Sequence, residues 1–371
     1  MLPIMKIEIS GIDPTQFMVH QHVVNGEVLH LVQPNHIGTK FTRNNAHLRS
    51  SVWNDNGEAV SLSFGKFVNW GENPDNFPVP TDLKKCVFVQ KVDGSTLILS
   101  RYKGNYIIRT RGTLDASLME KNGNEVEIFK SAIIPSIPDK SETWNYSIIF
   151  EWVSPLNRVV LLYPEPKWYL IGIVNHEDYS LMPQHELDTY ASQMKWERPP
   201  IYSFDNVNSF EELIVTVEAW KGVEGIVVYS NNGQMLHKVK GLDYLARHRL
   251  KSELASFEKL VDFWFAVGQP IDFQMFWNEV EKLTDYETAH EHFGDLSRII
   301  DAWKNVQKIV SGMKEFVENT LQPLPTRRDQ AVAVFSSYGK TERTNCLFTL
   351  LDGKELSDNQ YKHLLYQCLK K

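Results

Sequence analysis

The sequence predicts an α+β protein in which antiparallel sheets with flanking helices precede a mostly helical domain. In the middle of the chain, short β-branched and aromatic segments follow one another at hairpin spacing, as at 96–102 and 105–109. After Leu245, apolar residues instead recur every three or four positions. The chain has 371 residues, more than one hydrophobic core usually supports. We therefore expect two domains, 1–245 and 246–371.

The predicted elements can be placed by pattern and turn chemistry. The helical stripe of the second domain is typical of a packed core, and Pro323 and Pro325 end it. A last helix is expected at 361–369. The predicted strands are 86–90, 96–102, 105–109, 146–153, 158–163, 167–174, 225–229 and 234–240, with helices allowed at 115–130 and 210–221. The stripe consists of Leu296, Ile299, Ile300, Trp303, Val306, Val310, Met313 and Val317.

Composition excludes several classes of protein. Hydrophobic residues make up 42% and charged residues 23% of the chain, which is ordinary globular usage. The longest apolar runs, such as 169–174, are strand-sized and far below the ~18 residues of a membrane span. The first residues lack a signal-peptide pattern. Cys86, Cys346 and Cys368 have neither disulfide nor metal spacing. We expect a soluble, cytoplasmic protein.

Basic residues are concentrated in two clusters, although the net charge is −7. Residues 84–111 hold seven Lys and Arg against one acid, and residues 238–251 hold five against one. Such clusters suit phosphate binding, although a solvated strand or helix face has the same composition. Residues 251–371 hold 15 Lys and Arg against 18 Asp and Glu, a net charge of −3. The clustered residues are Lys84, Lys85, Lys91, Arg101, Lys103, Arg109 and Arg111, then Lys238, Lys240, Arg247, Arg249 and Lys251.

The sharpest local feature is Lys91-Val92-Asp93-Gly94, directly after an apolar strand. A lysine at this place can be a nucleophile if desolvation or neighbouring positive charge lowers its pKa. Gly94 would let the backbone approach a phosphate closely. The motif by itself is also compatible with a plain turn at the end of a strand.

Charged residues then occur where apolar strands are expected. Arg109 and Arg111 end the next hairpin. Glu151 stands between Phe150 and Trp152 on a strand that should be buried. An unpaired buried carboxylate is costly, so we expect Glu151 to meet a ribose hydroxyl, a lysine or a hydrated metal.

Two more charged motifs complete the pattern. Glu224 precedes the apolar strand 225–229, and the strand period of two places Lys238 and Lys240 on one face. Each motif alone fits an ordinary edge-strand charge. Together the motifs offer a nucleophile, carboxylates and paired cations, which are the groups that nucleotidyl transfer requires.

In this order the motifs resemble the covalent nucleotidyltransferases, namely ATP-dependent DNA and RNA ligases and mRNA capping enzymes. The chain is most similar to the T-even phage RNA ligase 1 family, over about residues 45–250. It departs at Arg49-Ser50-Ser51, where that family commonly has Arg-Gly. The matching segments are 150–161 (FEWVSPLNRVVL, against FEFVAPTNRIVL), 64–69 (against a K-F-F-N region), Val223-Glu224-Gly225, and Lys238-Val239-Lys240 followed by Tyr244.

The resemblance implies a nucleotidyltransferase (ATP-grasp-like ligase) domain and a role for each matched residue. Lys91 would attack the α-phosphate of ATP, and Lys238 and Lys240 would neutralise that phosphate. Glu151 would contact the ribose or waters on a metal, and Glu224 would help to hold the metal, through water, and orient Lys91. The metal would be Mg²⁺ or Mn²⁺.

The remaining site residues are also implied by the resemblance. Arg49, Lys66, Arg111 and Tyr244 would orient pyrophosphate or the RNA phosphate, and Gln90 would lie at the nucleotide. Trp168 is the candidate for stacking on adenine, from strand 167–171. Ile226 or Val227 would cover the other face of the base or pack in the core.

The activity implied is sealing of RNA 5′-phosphate and 3′-hydroxyl ends through lysyl-AMP and RNA-adenylate intermediates. The expected setting is repair of broken RNA, such as tRNA, in the cytoplasm of a phage-infected host, by a monomer that does not bind membranes. Residues 246–371 would select the RNA. A DNA ligase or capping enzyme is the first alternative, but those enzymes continue into a β-barrel. A non-catalytic protein that binds RNA ends is the second.

Overall fold

Three β-sheets form the framework of the first part of the chain. The computed structural model describes residues 4–35, 39–119, 124–230, 233–246, 248, 257–283 and 293–369. The first sheet is an antiparallel meander in the order β1-β2-β3-β4. Its strands are β1 (Phe17–Val24), β2 (Glu27–Pro34), β3 (Ser51–Asn54) and β4 (Ala59–Ser61).

The second and third sheets contain the strands that carry Lys91, Glu151, Lys238 and Lys240. The second has the order β10-β9-β7-β8, and the third has the order β11-β6-β12-β13-β5, in which only the β13–β5 pair is parallel. The strands are β5 (Val68–Asn69), β6 (Val87–Lys91), β7 (Ser95–Tyr102), β8 (Asn105–Arg109), β9 (Tyr146–Val153), β10 (Lys167–Asn175), β11 (Ile201–Tyr202), β12 (Gly225–Ser230) and β13 (Met235–Lys240).

The second sheet is buried on both faces, and its residues alternate accordingly. Leu97 and Leu99 face a core that includes the helices α1 (Glu125–Ile133) and α2 (Gln184–Met194). Ile98, between them, packs with residues of the first sheet. This alternation is the period of two that a strand imposes. A third helix, α3 (Phe210–Glu218), packs on the third sheet through its buried residues.

Two predicted elements differ from the structure. The segment 158–163 is not a strand but a series of bends, because its backbone amides at Val160 and Leu161 donate to a side-chain carboxylate instead of a neighbouring strand. The helix allowed at 115–130 divides into a short turn at Ala116–Met119 and α1.

The chain separates into two compact units, Met1–Ala246 and Arg247–Lys371. The described residues of the second unit form helices and no strand. The predicted apolar stripe of 296–317 is buried in the core of this unit, as expected. These helices are α4 (Phe257–Ala266), α5 (Phe273–Leu283), α6 (Phe293–Phe316), α7 (Arg327–Tyr338), α8 (Glu342–Leu351) and α9 (Asp358–Leu369), with a wider turn at Val317–Leu321.

The predicted α+β class, with a helical C-terminal region, is confirmed. Among the described residues no helix is both long enough and apolar enough to cross a membrane. The core of the second unit is drawn from residues between Phe257 and Leu369 alone, so each unit has a core of its own. The motif residues from Arg49 to Tyr244 all belong to the first unit.

Candidate active site

Lys91 ends β6, and strand pairing brings two other motif residues to it. In the register of the third sheet, Gly225 of β12 lies opposite Lys91 on one side and opposite Lys240 on the other. Glu224, the residue before Gly225, accordingly bridges the two lysines. Its Oε2 lies 2.9 Å from Lys91 Nζ and its Oε1 lies 2.8 Å from Lys240 Nζ. The Glu224 side chain is 3% exposed, so this bridge is shielded from water.

Gly225 is required for the bridge to form. Its φ is +143°, and a Cβ at this position would come within 2.1 Å of the Val239 carbonyl oxygen. Any other residue would push β12 and β13 apart. The Glu-Gly pair noted in the sequence is therefore a backbone requirement as well as a placed carboxylate.

A lowered pKa is the condition under which Lys91 can act as a nucleophile. Desolvation acts to lower the pKa of Lys91, but the negative charges of Glu224, Glu151 and Asp93 outweigh it and raise the pKa above its usual value. The protein's own groups therefore do not meet this condition. The lysine is held as an ammonium, and it has to lose a proton before it can attack.

Glu151 lies in the middle of β9 and is 8% exposed. Its Oε1 accepts a hydrogen bond of 3.2 Å from the Gly94 amide. Burial raises the pKa of Glu151 to about 7, with Lys91 acting to lower it and Glu224 acting to raise it. A ribose hydroxyl, a lysine or a hydrated metal was expected beside this carboxylate. Lys91 is near enough to lower its pKa, and carboxylate oxygens also suit water bound to a metal.

Gly94 has a structural role that the sequence did not indicate. A Cβ at Gly94 would lie 2.4 Å from the carbonyl oxygen of Trp152, so the glycine is needed where the chain passes against β9. The close approach of this backbone to a phosphate stays a prediction. The short turn between β6 and β7 thus holds Lys91 and Glu151 next to each other.

Lys238 and Lys240 lie on one face of β13, as the strand period predicted. The Lys238 ammonium lies over the ring of Phe67, 5.7 Å from its centroid, and Lys240 lies over Tyr244 at 4.9 Å. Burial, together with the nearby charges of Lys240, Lys66, Lys91 and Arg49, lowers the pKa of Lys238 to about 8. The concentration of positive charge favours an anion at this place.

Arg49, Lys66 and Arg111 line a large cleft of about 990 Å³. The Arg49 guanidinium donates to the Gly65 carbonyl at 3.2 Å and lies 6.0 Å from the centroid of the Phe67 ring. Burial, together with the charge of Arg111, lowers the pKa of Arg49 to about 10. Lys66 Nζ is 3.6 Å from Glu72. These three predicted phosphate ligands therefore share one cavity, and Phe67 joins it to Lys238.

The structure explains how Ser50 is accommodated where the family commonly has glycine. Ser50 has a φ of +59°, in the left-handed region that glycine adopts without strain. Its hydroxyl donates to the Arg111 carbonyl at 2.8 Å and accepts from Arg109 at 3.1 Å. The serine thus keeps the turn after Arg49 and offsets the strain with two hydrogen bonds.

Arg109 is not part of the cleft, although it belongs to the first basic cluster. It is 0% exposed and donates to the hydroxyl and the carbonyl of Ser61, as well as to the Ser50 carbonyl at 2.8 Å. It therefore ties the first and second sheets together. Of the second cluster, Arg247, Arg249 and Lys251 lie outside the described residues.

Asp93 is the functional residue to which the sequence assigned no role. Its Oδ2 accepts hydrogen bonds from the amides of Val160 and Leu161, at 2.7 and 2.6 Å. Its Oδ1 accepts the hydroxyl of Tyr244 at 2.7 Å. Asp93 thus links the turn after Lys91 to the segment at Val160 and to Tyr244, which lies shortly after the end of β13. Its place in K-x-D-G is the signal that could have identified it.

Trp168 is not placed to stack on a base at this site. It lies opposite Trp152 in the β9–β10 pair and packs against Phe129, with centroids 5.7 Å apart. This is the face opposite to that of Glu151. Ile171, on the same side of β10 as Tyr169, instead lines a cavity together with Lys91.

A small cavity of about 40 Å³ lies beside Lys91. Gln90, Glu151, Ile171 and Val227 line it, whereas Ile226 is buried in the core on the other face of β12. Gln90 accepts the hydroxyl of Tyr202 at 2.8 Å. The cavity is smaller than a purine, so a base would have to displace side chains there.

No group of three or more His, Cys, Asp and Glu in the described part of the chain could hold a metal ion alone. Two carboxylates, Glu151 and Glu224, are available near Lys91. Mg²⁺ is often held by one or two carboxylates together with waters and substrate phosphates. The residues present therefore fit a magnesium ion that binds together with a nucleotide.

Known proteins are similar to this chain. An RNA ligase of Rhodothermus phage RM378 is 25% identical over 91% of this chain and 88% of its own. A solved archaeal ATP-dependent RNA ligase matches with a TM-score of 0.43 and 14% identity over 79% of this chain and 76% of that one. A mutant Naegleria gruberi RNA ligase with ATP and Mn matches with a TM-score of 0.34 and 15% identity over 44% and 51%.

A family model described as RNA ligase matches residues 41–265, which is more than half of the chain. The matched range contains every residue that the motifs singled out, from Arg49 to Tyr244. The resemblance drawn from the order of those motifs is confirmed. The protein belongs to the RNA ligase family.

Proposed function

We propose that the protein joins RNA 5′-phosphate and 3′-hydroxyl ends with ATP, through an AMP bound covalently to Lys91. The observation that carries this proposal is the bridge of Glu224 between Lys91 and Lys240. It holds the proposed nucleophile next to Lys240, and Phe67, which lines the small cavity at Lys91, contacts Arg49 of the large cleft. A shielded lysine beside a cationic cleft suits attack on a phosphorus atom that carries a pyrophosphate leaving group.

Three in-line displacements complete the reaction. First, the deprotonated Nζ of Lys91 forms a bond to the α-phosphorus of ATP, and the bond from that phosphorus to pyrophosphate breaks. An oxygen of the RNA 5′-phosphate then attacks the same phosphorus and breaks the P–N bond, and Lys91 takes up a proton again. Finally, the 3′-hydroxyl attacks the 5′-phosphorus of the RNA, loses its proton and expels AMP.

The protein's own groups account for positioning and charge. Lys238 and Lys240 neutralise negative charge that builds up on the α-phosphate, and Glu224 orients both Lys91 and Lys240. Glu151 and Glu224 would hold Mg²⁺ through water. When it is bound, the metal supplies positive charge that stabilises the phosphate oxygens and favours the neutral form of Lys91.

The helical unit, Arg247–Lys371, is proposed to select the RNA. The site described above is built from residues that precede Arg247, and residues 251–371 carry a net charge of −3. Recognition by the shape of a folded RNA suits such a unit better than general phosphate binding. tRNA as the substrate, a monomeric state and a cytoplasmic location stay predictions.

The experiment that tests this function uses the full chain, Mg²⁺, ATP and a labelled RNA strand with a 5′-phosphate and a 3′-hydroxyl. We expect circular or joined RNA to appear together with a transient A(5′)pp(5′)RNA. The matched control is a DNA strand of the same sequence. Faster sealing of DNA than of RNA would favour a DNA ligase, and absence of both products with either strand would contradict the proposal.

A further inference from the structure

The cleft that contains Arg49, Lys66 and Arg111 is larger than pyrophosphate needs. Its volume of about 990 Å³ is at the upper end of the range for small-molecule sites, about 300–1,000 Å³. The three cations line it together with apolar side chains such as Met18, Phe41 and Phe77. The lining also carries amide and hydroxyl side chains and one lysine, and we call this set of residues the polar wall. The polar wall consists of Gln33, Asn35, Thr39, Lys40, Asn73 and Asn76.

We propose that the polar wall binds the first nucleotides of the RNA strand that carries the 5′-phosphate. This inference rests on the proposed function and adds to it the path of one substrate. The argument depends on three things: where the RNA phosphate must enter, how the polar wall is built, and which charges surround it.

The direction of entry follows from the chemistry of the first two steps. In an in-line displacement the leaving group departs on the side opposite to the nucleophile. Pyrophosphate therefore leaves opposite Lys91. In the next step Lys91 is the leaving group, so the RNA phosphate has to enter opposite Lys91, in the space that pyrophosphate vacated. The cations that hold the pyrophosphate thus become neighbours of the RNA 5′-phosphate.

The cleft lies next to the lysines of the site. One ring, that of Phe67, stands between Arg49 of the cleft and Lys238, which lie 6.0 and 5.7 Å from its centroid. An RNA phosphate beside Arg49 and Lys238 leaves the following nucleotides only the remainder of the cleft. The polar wall lines that remainder.

Hydrogen bonds hold the polar wall in place before any ligand binds. The Thr39 hydroxyl shares its one proton between the carbonyls of Gln16 and Asn35, at 2.7 and 2.9 Å. Asn73 donates to the Phe41 carbonyl at 3.0 Å, and Asn76 donates to the Asn73 side chain at 3.1 Å. Fixed amides and hydroxyls are suited to ribose hydroxyls and base edges, whereas a bare polyphosphate would call for more cations.

Charge also favours an anionic strand. The cleft lining includes Lys40, Arg49, Lys66 and Arg111, and Glu72 is the acid among its lining residues, already paired with Lys66. The chain as a whole has a net charge of −7, so this positive cleft is a local feature of the surface. Lys40 is exposed, which suits a lysine that contacts a backbone phosphate.

The test measures binding of RNA without chemistry. A decamer RNA with a 5′-phosphate and a 3′-fluorophore is titrated with the full-length protein, and binding is followed by anisotropy at several salt concentrations. We compare the wild type with Lys40→Ala, Asn76→Ala and the double variant. Lys84→Ala, an exposed lysine that lines a different cleft, is the matched control.

The double variant should bind the decamer about tenfold more weakly, as expected for losing one phosphate contact and one hydrogen bond. Lys40→Ala should lower the slope of log affinity against log salt by about 0.7, while Asn76→Ala should weaken binding without changing the slope. Lys84→Ala should match the wild type. A purely structural role of Lys40 would not produce this change of slope.

A second readout separates this inference from the proposed function. Formation of protein-AMP from ATP should be as fast in Lys40→Ala and Asn76→Ala as in the wild type, since neither residue touches the lysines of the site. Unchanged RNA affinity in the double variant would overturn the inference, and so would slowed protein-AMP formation. Absence of protein-AMP in the wild type would overturn the proposed function, while the titration would still decide on the polar wall.

Discussion

The ammonium of Lys91 lies 2.9 Å from Oε2 of Glu224. This contact places the proposed nucleophile and at the same time keeps it protonated, because the Glu224 charge counteracts the desolvation of Lys91 and raises its pKa. Placement and activation are therefore separate requirements in this site. ATP and its metal would have to offset the negative charge before the lysine can react.

The rate of protein-AMP formation should rise with pH. Burial raises the pKa of Glu151 to about 7, so its carboxylate is negative, and able to hold metal-bound water, only above that pH. Lys91, whose pKa is raised, also loses more of its proton as the pH increases. Single-turnover rates measured from about pH 6 to 7.5, below the range in which Lys238 loses its charge, would show the rise. Glu151→Gln should be slow throughout and lack the bend near pH 7, and a flat profile of the wild type would contradict this reading.

ATP affinity should fall as the pH rises through about 8. Burial, with four neighbouring cations, lowers the pKa of Lys238 to about 8. Lys238 therefore loses its charge above that pH and no longer attracts phosphate. ATP binding to Lys91→Arg, which keeps the positive charge beside Lys238 and cannot turn over, measures the effect by calorimetry between about pH 7 and 9.

Removing Lys238 or Lys240 should also slow chemistry. Each Ala variant should lose a factor on the order of 10²–10³ in the rate of adenylylation, as for the loss of one charge-stabilising donor. In Lys238→Ala the pH dependence of ATP affinity near 8 should disappear. Near wild-type rates in both variants would mean that the two lysines are ordinary strand charges.

Arg109 and Arg111 are two residues apart, but their substitutions should affect different properties. Arg109→Ala should lower stability, and Arg111→Ala should slow the reaction. Arg109→Ala removes hydrogen bonds from buried carbonyls of Ser50 and Ser61, and should cost on the order of 3 kcal/mol of the free energy of unfolding. Arg111→Ala, at an exposed position, should cost less than about 0.5 kcal/mol but slow AMP transfer to RNA. Thermal denaturation and single-turnover transfer distinguish the two, and equal losses of stability would contradict the assignment.

Much of the site was predictable because strand order brings its motifs together. The period of two placed Lys238 and Lys240 on one face, and Glu224-Gly225 was recognisable as a carboxylate at the start of an apolar strand. The helical stripe of 296–317 was predictable because its apolar spacing matches the helical period. Local patterns were sufficient for these features.

Other features depend on contacts that no local pattern records. The pKa of Lys91 rises because Glu151 and Glu224 come near it from other strands. Trp168 faces the other core because the register of β10 against β9 sets its side, and 158–163 is not a strand because Asp93 takes its amides. Arg109 is buried because Ser50 and Ser61 accept its hydrogen bonds.

A protein truncated after Ala246 should test the role of the helical unit. Each unit has its own core, so residues 1–246 should remain soluble and form protein-AMP at a similar rate. The truncated protein should seal structured and unstructured RNA ends with equal preference, measured by competition between two labelled RNAs. Aggregation, or loss of protein-AMP, would show that the helical unit supports the catalytic unit instead.

Labelling with α-labelled ATP and Mg²⁺ tests the role of Lys91 most directly. The wild type should become labelled with AMP, whereas Lys91→Ala should not. Lys91→Arg should also fail, because a guanidinium stays protonated at any usable pH. Lys91→Ala should still seal RNA that was adenylylated beforehand, since that last step needs no lysine nucleophile. Normal incorporation of label into Lys91→Ala would contradict the central claim.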